Sequence, residues 1–272
     1  MSYISNRKEF PKEITSYDVL KAVAVILMIV DHIGYYFFPE NMWIRVVGRM
    51  CVPMWFFLVG YAKSRDMSPI LWVGGALLVV MNPIVGMSLF PLNILFTILF
   101  VRWVLDFFVL KMLKSRFDAF MGALALAALF IPTIFMFEYG SSAVALALIG
   151  YIARNKDELG FTPLRSLIWV TVVTVLFVYS QEFLGFTFSH IQNLILVLGI
   201  GCVAMLLYTK FEPATLKTKS VIISFLGRYT LEIYVVHLLI FKLIGVSFGL
   251  SDIQWFDFYY LPGGGVLQGV HE

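Results

Sequence analysis

Residues 17–38 read YDVLKAVAVILMIVDHIGYYFF, and this stretch decides the fold class. It has the length of about 20 predominantly apolar residues that an α-helix needs to cross the hydrocarbon core of a bilayer. Near its end it carries Asp31 and His32, two ionisable residues of a kind that is costly inside a membrane. The stretch therefore predicts a membrane-spanning helix that contains part of a functional site.

The rest of the chain has the same apolar character. Of its 272 residues, 60% are hydrophobic and 14% are charged, whereas soluble globular domains carry about 25% charged residues. We predict an all-α, polytopic transmembrane helix bundle of about nine (8–10) helices. The predicted helices span residues 17–38, 43–62, 69–89, 92–110, 118–137, 140–154, 165–182, 190–209 and 227–246.

Two of these nine ranges are irregular. Asn82 and Pro83 interrupt the third range, and a proline removes a backbone donor from a helix. The sixth range, 140–154, is shorter than a bilayer requires. It is therefore expected to be tilted, half-spanning or buried against its neighbours.

Basic residues are clustered in alternate connections between the predicted helices. Because Lys and Arg accumulate on the cytoplasmic side of membrane proteins, this alternation predicts a cytoplasmic N-terminus and an outward C-terminus. The chain is thus divided into a cytoplasmic segment (1–16), a single transmembrane domain (17–246) and a flexible tail (247–272), with no cleavable signal peptide. The residues on the predicted cytoplasmic side include Arg7, Lys8, Lys12, Lys63, Arg65, Lys111, Lys114, Arg116, Arg154, Lys156, Arg165, Lys210, Lys217 and Lys219.

Four ionisable residues of the first two helices lie at a similar depth. His32 falls about 22 Å along the first helix at a rise of about 1.5 Å per residue, and Arg45 and Arg49 lie one turn apart near the outer start of the second. Asp31 and His32 diverge by about 100°, so they cannot share one partner. The simplest arrangement pairs Asp31 with Arg49 and leaves His32 facing a cavity, where a neutral imidazole can accept a proton. The alternative is a packing network, with a buried Asp31–Arg49 clamp and His32 bonded to a backbone carbonyl.

The later helices contribute a second set of polar residues. His237 is predicted near the membrane midplane, where it is either catalytic or a hydrogen-bonded core histidine. Arg228 and Glu232 are four residues apart and can form an intrahelical pair, although Arg228 could also bind a phosphate at the inner end. Arg102 is predicted near mid-membrane, where it would neutralise an anionic substrate or fix Asp31.

Several motifs are missing from the sequence. It contains no Gly-rich phosphate loop, no zinc signature and no Gly-x-Ser-x-Gly elbow. These absences argue against soluble-type nucleotide hydrolysis and against a metal site, and we predict no nucleic-acid partner. The inverted repeats common in secondary transporters are not apparent either.

Three blocks of the sequence resemble the TraX family of membrane proteins. The first is Asp-His-Ile-Gly at residues 31–34, and the second is Gly-Arg-x-x-x-Pro at residues 48–53. The third, FLGRYTLEIYVVHLLIF at residues 225–241, resembles the ending shared by TraX and the broader acyltransferase-3 group. The remaining helices match in hydropathy alone.

The resemblance implies an acetyltransferase of the bacterial cytoplasmic (inner) membrane. It would move an acetyl group from cytoplasmic acetyl-CoA, its co-substrate, to an amine or hydroxyl acceptor at the outer side. The acceptor is a pilin amino terminus in TraX and usually a sugar hydroxyl in the acyltransferase-3 relatives. A pilin-like protein N-terminus and an envelope glycan therefore both stay open for this chain.

With this activity, each candidate residue receives a role. His32 would be the general base, Asp31 and Arg49 would hold the pocket, and His237 is a further catalytic candidate. CoA phosphates would bind Arg154 or Arg228. The thioester oxygen would be polarised by Arg102 or Tyr234, because donors at a developing oxyanion are often the largest catalytic contribution.

Two other classes of function compete with the enzyme. A transporter or flippase would move a lipid-linked or anionic solute through the same polar cavity. A membrane scaffold would use the polar residues only for packing, so it would tolerate the loss of both His32 and His237.

Overall fold

The computed structural model describes residues 13–112, 115–160, 162–183 and 187–249. Most of the predicted N-terminal segment (1–16) and tail (247–272) lie outside these ranges. Within them the chain forms helices and two isolated β-bridges but no strand, so the all-α class is confirmed. The helices are α1 (Ser16–Phe37), α2 (Met42–Gly48), α3 (Cys51–Tyr61), α4 (Pro69–Ile84), α5 (Ile94–Met112), α6 (Arg116–Ala128), α7 (Phe130–Met136), α8 (Gly140–Arg154), α9 (Lys156–Leu159), α10 (Pro163–Phe183), α11 (His190–Lys210), α12 (Val221–Arg228) and α13 (Thr230–Phe248).

Each of the nine predicted ranges contains one of these helices or a pair of them. Among the described residues, 5 segments are long and apolar enough to cross a membrane, or 6 if the bent pair α6 and α7 is one span. The pair bends by 48°, and α4 and α8 are apolar but shorter. The chain is therefore a multi-pass membrane protein, while nine spans and a cytoplasmic N-terminus stay predictions.

Local sequence signals explain where α1 begins. Thr15 is its N-cap, and the Thr15 hydroxyl accepts a hydrogen bond from the Asp18 backbone N–H at 3.2 Å. The Asp18 carboxylate in turn accepts one from the Thr15 backbone N–H at 2.9 Å. This reciprocal capping box satisfies backbone donors that the first turn of a helix leaves unpaired.

The short helix α8 lies in the core of the bundle. Of its 15 residues, 12 are buried, which fits a helix that is apolar or small on every side. Gly150 lets it pack directly on α3, since a Cβ there would lie 2.1 Å from the Phe57 carbonyl oxygen. Gly60 does the same from α3, with a Cβ that would lie 1.7 Å from the carbonyl oxygen of Ala147. Small residues of this kind allow close backbone approach between membrane helices, and the expectation that α8 is buried against its neighbours is met.

The helices run between two ends of the bundle, which we call the His32 end and the Tyr61 end. At the Tyr61 end, the ring of Tyr17 at the start of α1 lies 6.3 Å from the ring of Tyr61 at the end of α3. Arg154 at the end of α8 donates to the Tyr61 carbonyl at 2.9 Å. Thus α3 and α8 run towards this end, and α1 runs away from it towards His32.

Candidate functional site

Asp31, Arg45 and Arg49 form a buried ion cluster where α1 meets α2. Arg45 Nε donates to Asp31 Oδ1 at 2.8 Å, and Arg49 Nε lies 3.5 Å from the same oxygen. Each of the three residues is 5% exposed. Gly48 permits this approach, because a Cβ there would lie 2.4 Å from Asp31 Cα. The predicted contact between Asp31 and Arg49 is present, and Arg45 is added to it.

An unusual turn before α8 fixes Arg49 from its other side. Arg49 Nη1 donates a hydrogen bond of 2.6 Å to the Tyr139 hydroxyl. Tyr139 has φ 68°, in the left-handed region that non-glycine residues rarely adopt, and Gly140 follows with φ 48°. Such a conformation costs about 1–3 kcal/mol and persists where the surroundings over-determine it. Here the Tyr139 ring packs against those of Phe56 and Phe177, with centroids 5.7 and 5.6 Å away.

His32 and His237 form a hydrogen-bonded pair between α1 and α13. His32 Nδ1 lies 2.8 Å from His237 Nε2, and His237 Nδ1 lies 2.6 Å from the Ile233 carbonyl oxygen. His237 is buried, whereas His32 is half-buried. The sequence placed His237 nearer the midplane than His32. The two rings lie side by side instead, so both histidines lie at a similar depth.

The two hydrogen bonds determine the protonation of both rings when they are neutral. A carbonyl oxygen only accepts, so His237 carries its proton on Nδ1 and presents a lone pair at Nε2. His32 must then donate from Nδ1, which leaves the lone pair of the His32 ring on Nε2. The pair is therefore a chain from the Ile233 carbonyl to a basic nitrogen on His32, in which one histidine orients the other.

Tyr234 lies beside both histidines. Its ring centroid is 6.1 Å from that of His32 and 5.9 Å from that of His237, and its side chain is buried. Tyr234 thus carries a hydroxyl on the helix face next to the histidine pair. Of the predicted CoA-binding residues, Tyr234 alone is among the described contacts of this pair.

Glu138, in the connection between α7 and α8, is a second carboxyl group at this end. Its backbone N–H donates to the Leu92 carbonyl at 2.9 Å, and the Thr97 hydroxyl donates to its carbonyl at 2.8 Å. Burial raises the pKa of the Glu138 carboxyl from 4.5 to about 7, although the positive charges of Arg49 and Lys242 lower it. Glu138 therefore titrates near neutral pH beside the ion cluster.

Lys242 extends the site along α13. It is 5% exposed, and its Nζ donates to the Leu78 carbonyl at 3.4 Å and to the Asn82 side-chain oxygen. Both acceptors belong to the C-terminal half of α4. A buried ammonium group thereby joins α4 to α13 five residues beyond His237.

The structure places the three predicted arginines of the CoA site away from the histidine pair. Arg154 donates to the Tyr61 carbonyl at 2.9 Å, and Arg228 lies 3.9 Å from the Asp18 carboxylate at the start of α1. Arg102 donates to the Asp66 carbonyl. Of the two roles predicted for Arg102, the contact with Asp31 is not formed, because the connection between α3 and α4 folds against α5 and supplies the acceptor. Neutralisation of an anionic substrate stays a prediction.

Comparison with known proteins identifies the family. A family model described as "TraX protein" matches residues 16–245, from the first residue of α1 to within three residues of the end of α13. The chain belongs to the TraX family. This TraX-family chain is also similar to the uncharacterised protein RP591 of Rickettsia prowazekii (strain Madrid E), with 25% identity over 236 residues that cover 84% of the chain and 91% of the relative. No solved structure matches.

The region that matches TraX contains two site residues that the sequence interpretation missed. Lys242 gave a usable signal, since an ionisable residue inside an apolar span is a functional candidate by default. Glu138 gave none, because an acidic residue in a connection is ordinarily solvated. Glu138 is half-buried because its backbone bonds to Leu92 and Thr97 hold the connection against α5, a contact that the sequence does not reveal.

The substitution Glu138→Gln is expected to make the stability of this TraX-family protein less dependent on pH. A raised pKa means that the folded state binds more protons than the unfolded state between about pH 4.5 and 7. Wild-type stability is thus fully present below pH 4.5 and falls as the pH rises through 7. Glutamine does not titrate, so the melting temperature of Glu138→Gln should vary less between pH 5 and 8 than that of the wild type. The corresponding difference in the free energy of unfolding has an upper bound of about 3 kcal/mol.

Glu158→Gln is the matched control for this measurement, because Glu158 is exposed on α9. Its melting temperature should follow the wild type at every pH. Parallel curves for wild type and Glu138→Gln would contradict the assignment of a near-neutral titration to Glu138.

Proposed function

We propose that this TraX-family chain is a membrane-embedded, acetyl-CoA-dependent acetyltransferase of the bacterial cytoplasmic membrane. It moves an acetyl group to an amine or hydroxyl at the outer side, on a protein N-terminus or an envelope glycan. The observation that carries the proposal is the His32–His237 pair, in which a backbone-anchored histidine directs the lone pair of the other to Nε2.

The reaction needs one base that later acts as an acid. His32 Nε2 takes the proton of the acceptor N–H or O–H while the acceptor atom attacks the thioester carbonyl. The C–S bond then breaks, the acetyl group stays on the acceptor, and the CoA thiolate takes the proton back from His32. The imidazolium formed between these steps donates from Nδ1 to His237 Nε2, which stabilises it.

The buried ion cluster supports this chemistry by holding α1 in place. Asp31 precedes His32 in the chain, so the bonds from Arg45 and Arg49 to Asp31 fix the helix turn that carries the base. Tyr234, next to the pair, is the group we assign to polarise the thioester oxygen.

The donor is proposed to enter from the Tyr61 end, where Arg154 and Arg228 lie. Asp18, the partner of Arg228, is 14 residues before His32 on α1, a separation of about 21 Å along the helix. A CoA whose phosphates bind at this end would extend its pantetheine arm between the helices towards His32. This arrangement agrees with the predicted cytoplasmic side of the basic connections.

Acetyl-CoA is expected to raise the melting temperature of the purified protein, because it binds the folded state selectively. At a concentration 100 times Kd the stabilisation is about 2.7 kcal/mol. The measurement is a thermal-shift titration with acetyl-CoA, with AMP as the control nucleotide that lacks the pantetheine arm. Transfer of labelled acetyl from the same donor to added envelope material is followed in parallel.

Two variants sharpen this titration. Arg228→Gln removes a candidate phosphate ligand and should reduce the shift, whereas Lys219→Gln, an exposed residue of the same end, should not. If acetyl-CoA up to millimolar concentration gives no shift in melting temperature and no labelled product forms, the proposed acetyltransferase activity is contradicted. Solute uptake by vesicles without any acyl donor would favour the transporter instead.

A further inference from the structure

A groove lies at the His32 end of the bundle, between the connection that precedes α2 and the start of α11. We call it the α2–α11 groove. Its volume is about 580 Å³, within the range of about 300–1,000 Å³ that is usual for small-molecule sites. α11 runs from this groove to the Tyr61 end, where Phe211 just beyond its last turn packs on the ring of Tyr61 at 5.1 Å. The groove therefore opens on the predicted outer side, opposite the proposed entry of the donor.

Gln192 presents an unpaired hydrogen-bond donor to this groove. The residue lines the groove although it is only 8% exposed, so its side chain is held in place. Its Oε1 accepts from the Ser189 backbone N–H at 2.9 Å as part of the capping box of α11. That bond fixes which end of the amide is oxygen, because a backbone N–H needs an acceptor. The Nε2 donates to no acceptor among the described residues and is not sealed from solvent.

Asn41 is oriented in the same way on the opposite wall. It is the N-cap of α2, and its Oδ1 accepts from the Trp43 backbone N–H at 3.2 Å. Its amide oxygen is thus used by the helix, and its Nδ2 has no acceptor among the described residues. Two helix caps therefore turn two amide NH₂ groups towards the same groove.

The remaining walls combine neutral polar groups with an aromatic surface. Trp43 lines the groove and is 48% exposed, and its indole is a large rigid apolar surface. Hydroxyl groups come from Thr187 and Ser189, and a carboxylate comes from Glu40; all three residues are exposed. The described residues that line the groove include no Lys or Arg.

We propose that the α2–α11 groove binds a neutral oligosaccharide. One sugar ring packs its apolar C–H face on the indole of Trp43, and ring hydroxyls accept from Asn41 Nδ2 and Gln192 Nε2. Because a hydroxyl group both donates and accepts, a further hydroxyl of the glycan donates to the Glu40 carboxylate. The role of this glycan as the acceptor of the acetyl group rests on the proposed function, whereas its binding does not.

Other ligands of the outer surface match the groove less well. A phosphorylated or sulfated group is recognised by Lys or Arg, which this lining lacks. The ammonium group of a protein N-terminus brings donors only, and two of the fixed groups in the groove are themselves donors. A sugar hydroxyl can accept from both amides, so it leaves neither amide unpaired.

The test measures binding of maltotetraose and chitotetraose to the full-length protein in lipid nanodiscs. Saturation-transfer difference NMR should show binding of at least one of them, with the largest transfer to the C–H protons of one ring. Trp43→Ala should weaken this binding about tenfold or more, as expected for an aromatic anchor. Trp72→Ala is the matched control, because Trp72 is 49% exposed but lies on α4, outside the groove.

Two conservative variants separate a sugar from an amine. Gln192→Glu and Asn41→Asp keep the oxygens that cap α11 and α2, since Glu and Asp serve at these capping positions. Each replaces an NH₂ donor by a carboxylate oxygen and should weaken oligosaccharide binding about three- to tenfold, the loss of one hydrogen bond. Both variants should keep the melting temperature of the wild type. Tetra-alanine with a free N-terminus is the competing probe, and an amine site would bind it more tightly in both variants.

Three results would overturn the proposal. One is that neither oligosaccharide binds the wild type at millimolar concentration. Another is that Trp43→Ala, Gln192→Glu and Asn41→Asp all bind as the wild type does; the two amide variants decide if Trp43→Ala does not fold. The third is tighter binding of tetra-alanine than of either sugar. No step of this test needs acetyl-CoA, so its outcome is independent of the proposed enzymatic activity.

Discussion

Replacing His32 with alanine is expected to lower the rate of acetyl transfer by about 10²–10⁴-fold, the usual contribution of a general acid–base group. His32 Nε2 is the atom to which the pair directs its lone pair, and His237 cannot replace it. The substitution frees His237 Nε2, but this atom lies 2.8 Å from the position of His32 Nδ1, on the far side of the lost ring from the position of His32 Nε2, so it is displaced from the acceptor. The measurement is the initial rate of labelled acetyl transfer by purified protein in lipid nanodiscs.

His190→Ala is the matched control for this variant, because His190 is exposed at the start of α11. It should keep the wild-type rate. His237→Ala should retain more activity than His32→Ala, since the base remains and only its tautomer and orientation are no longer fixed. Full turnover by folded His32→Ala would remove His32 as the base. Unchanged rates in both variants would exclude the histidine pair from the reaction, whereas no transfer even by the wild type would favour a scaffold.

Helix positions could be predicted from the sequence because hydropathy alone limits them. All nine predicted ranges contain a helix or a helix pair, and α8 was recognised as too short to span. The breaks inside the ranges were not predicted. The 48° bend between α6 and α7 did carry a signal, because Pro132 has no N–H to donate to the carbonyl of Ala128, the last residue of α6. The break at Tyr229 has no proline beside it.

The ion cluster could also be predicted, since charged residues within apolar spans are few and must meet partners. Depth counted from the charge alternation brought Asp31, Arg45 and Arg49 together, and the structure has these contacts. The bond between His32 and His237 joins residues 205 positions apart. It depends on which helices are neighbours, and hydropathy carries no information about that.

Arg102 and Glu138 show two ways in which membrane depth, counted in residues along a predicted helix, fails to locate a side chain. Arg102 was given a mid-membrane position, but the connection after α3 folds along α5 and supplies its acceptor, the Asp66 carbonyl. Glu138 was not singled out from the sequence, but in the structure its carboxyl lies within the field of Arg49 and Lys242. At both residues, the connection between two helices packs against the bundle, whereas the predicted topology treats every connection as a surface loop.

Asp31→Ala is expected to cause the largest loss of stability of any single substitution in the site. It leaves the guanidinium groups of Arg45 and Arg49 buried without the carboxylate between them. Removing one partner of a buried ion pair costs about 3–5 kcal/mol, which corresponds to about 6–20 °C in melting temperature for a chain of this size. Thermal unfolding in nanodiscs measures the shift, and Asp157→Ala, on an exposed residue of α9, should leave it within the error.

A triple variant separates the two roles of the cluster. In Asp31→Leu/Arg45→Met/Arg49→Met all three charges are replaced by apolar side chains, and such replacements are often neutral or stabilising. If the charges serve to orient the turn that carries His32, the triple variant should recover most of the stability lost in Asp31→Ala but not the acetyl transfer. Recovery of both the stability and the acetyl transfer would mean that the three residues serve only to pack α1 against α2. A triple variant less stable than Asp31→Ala would mean that Arg45 and Arg49 stabilise the fold through further contacts, besides those with the Asp31 carboxylate and the Tyr139 hydroxyl.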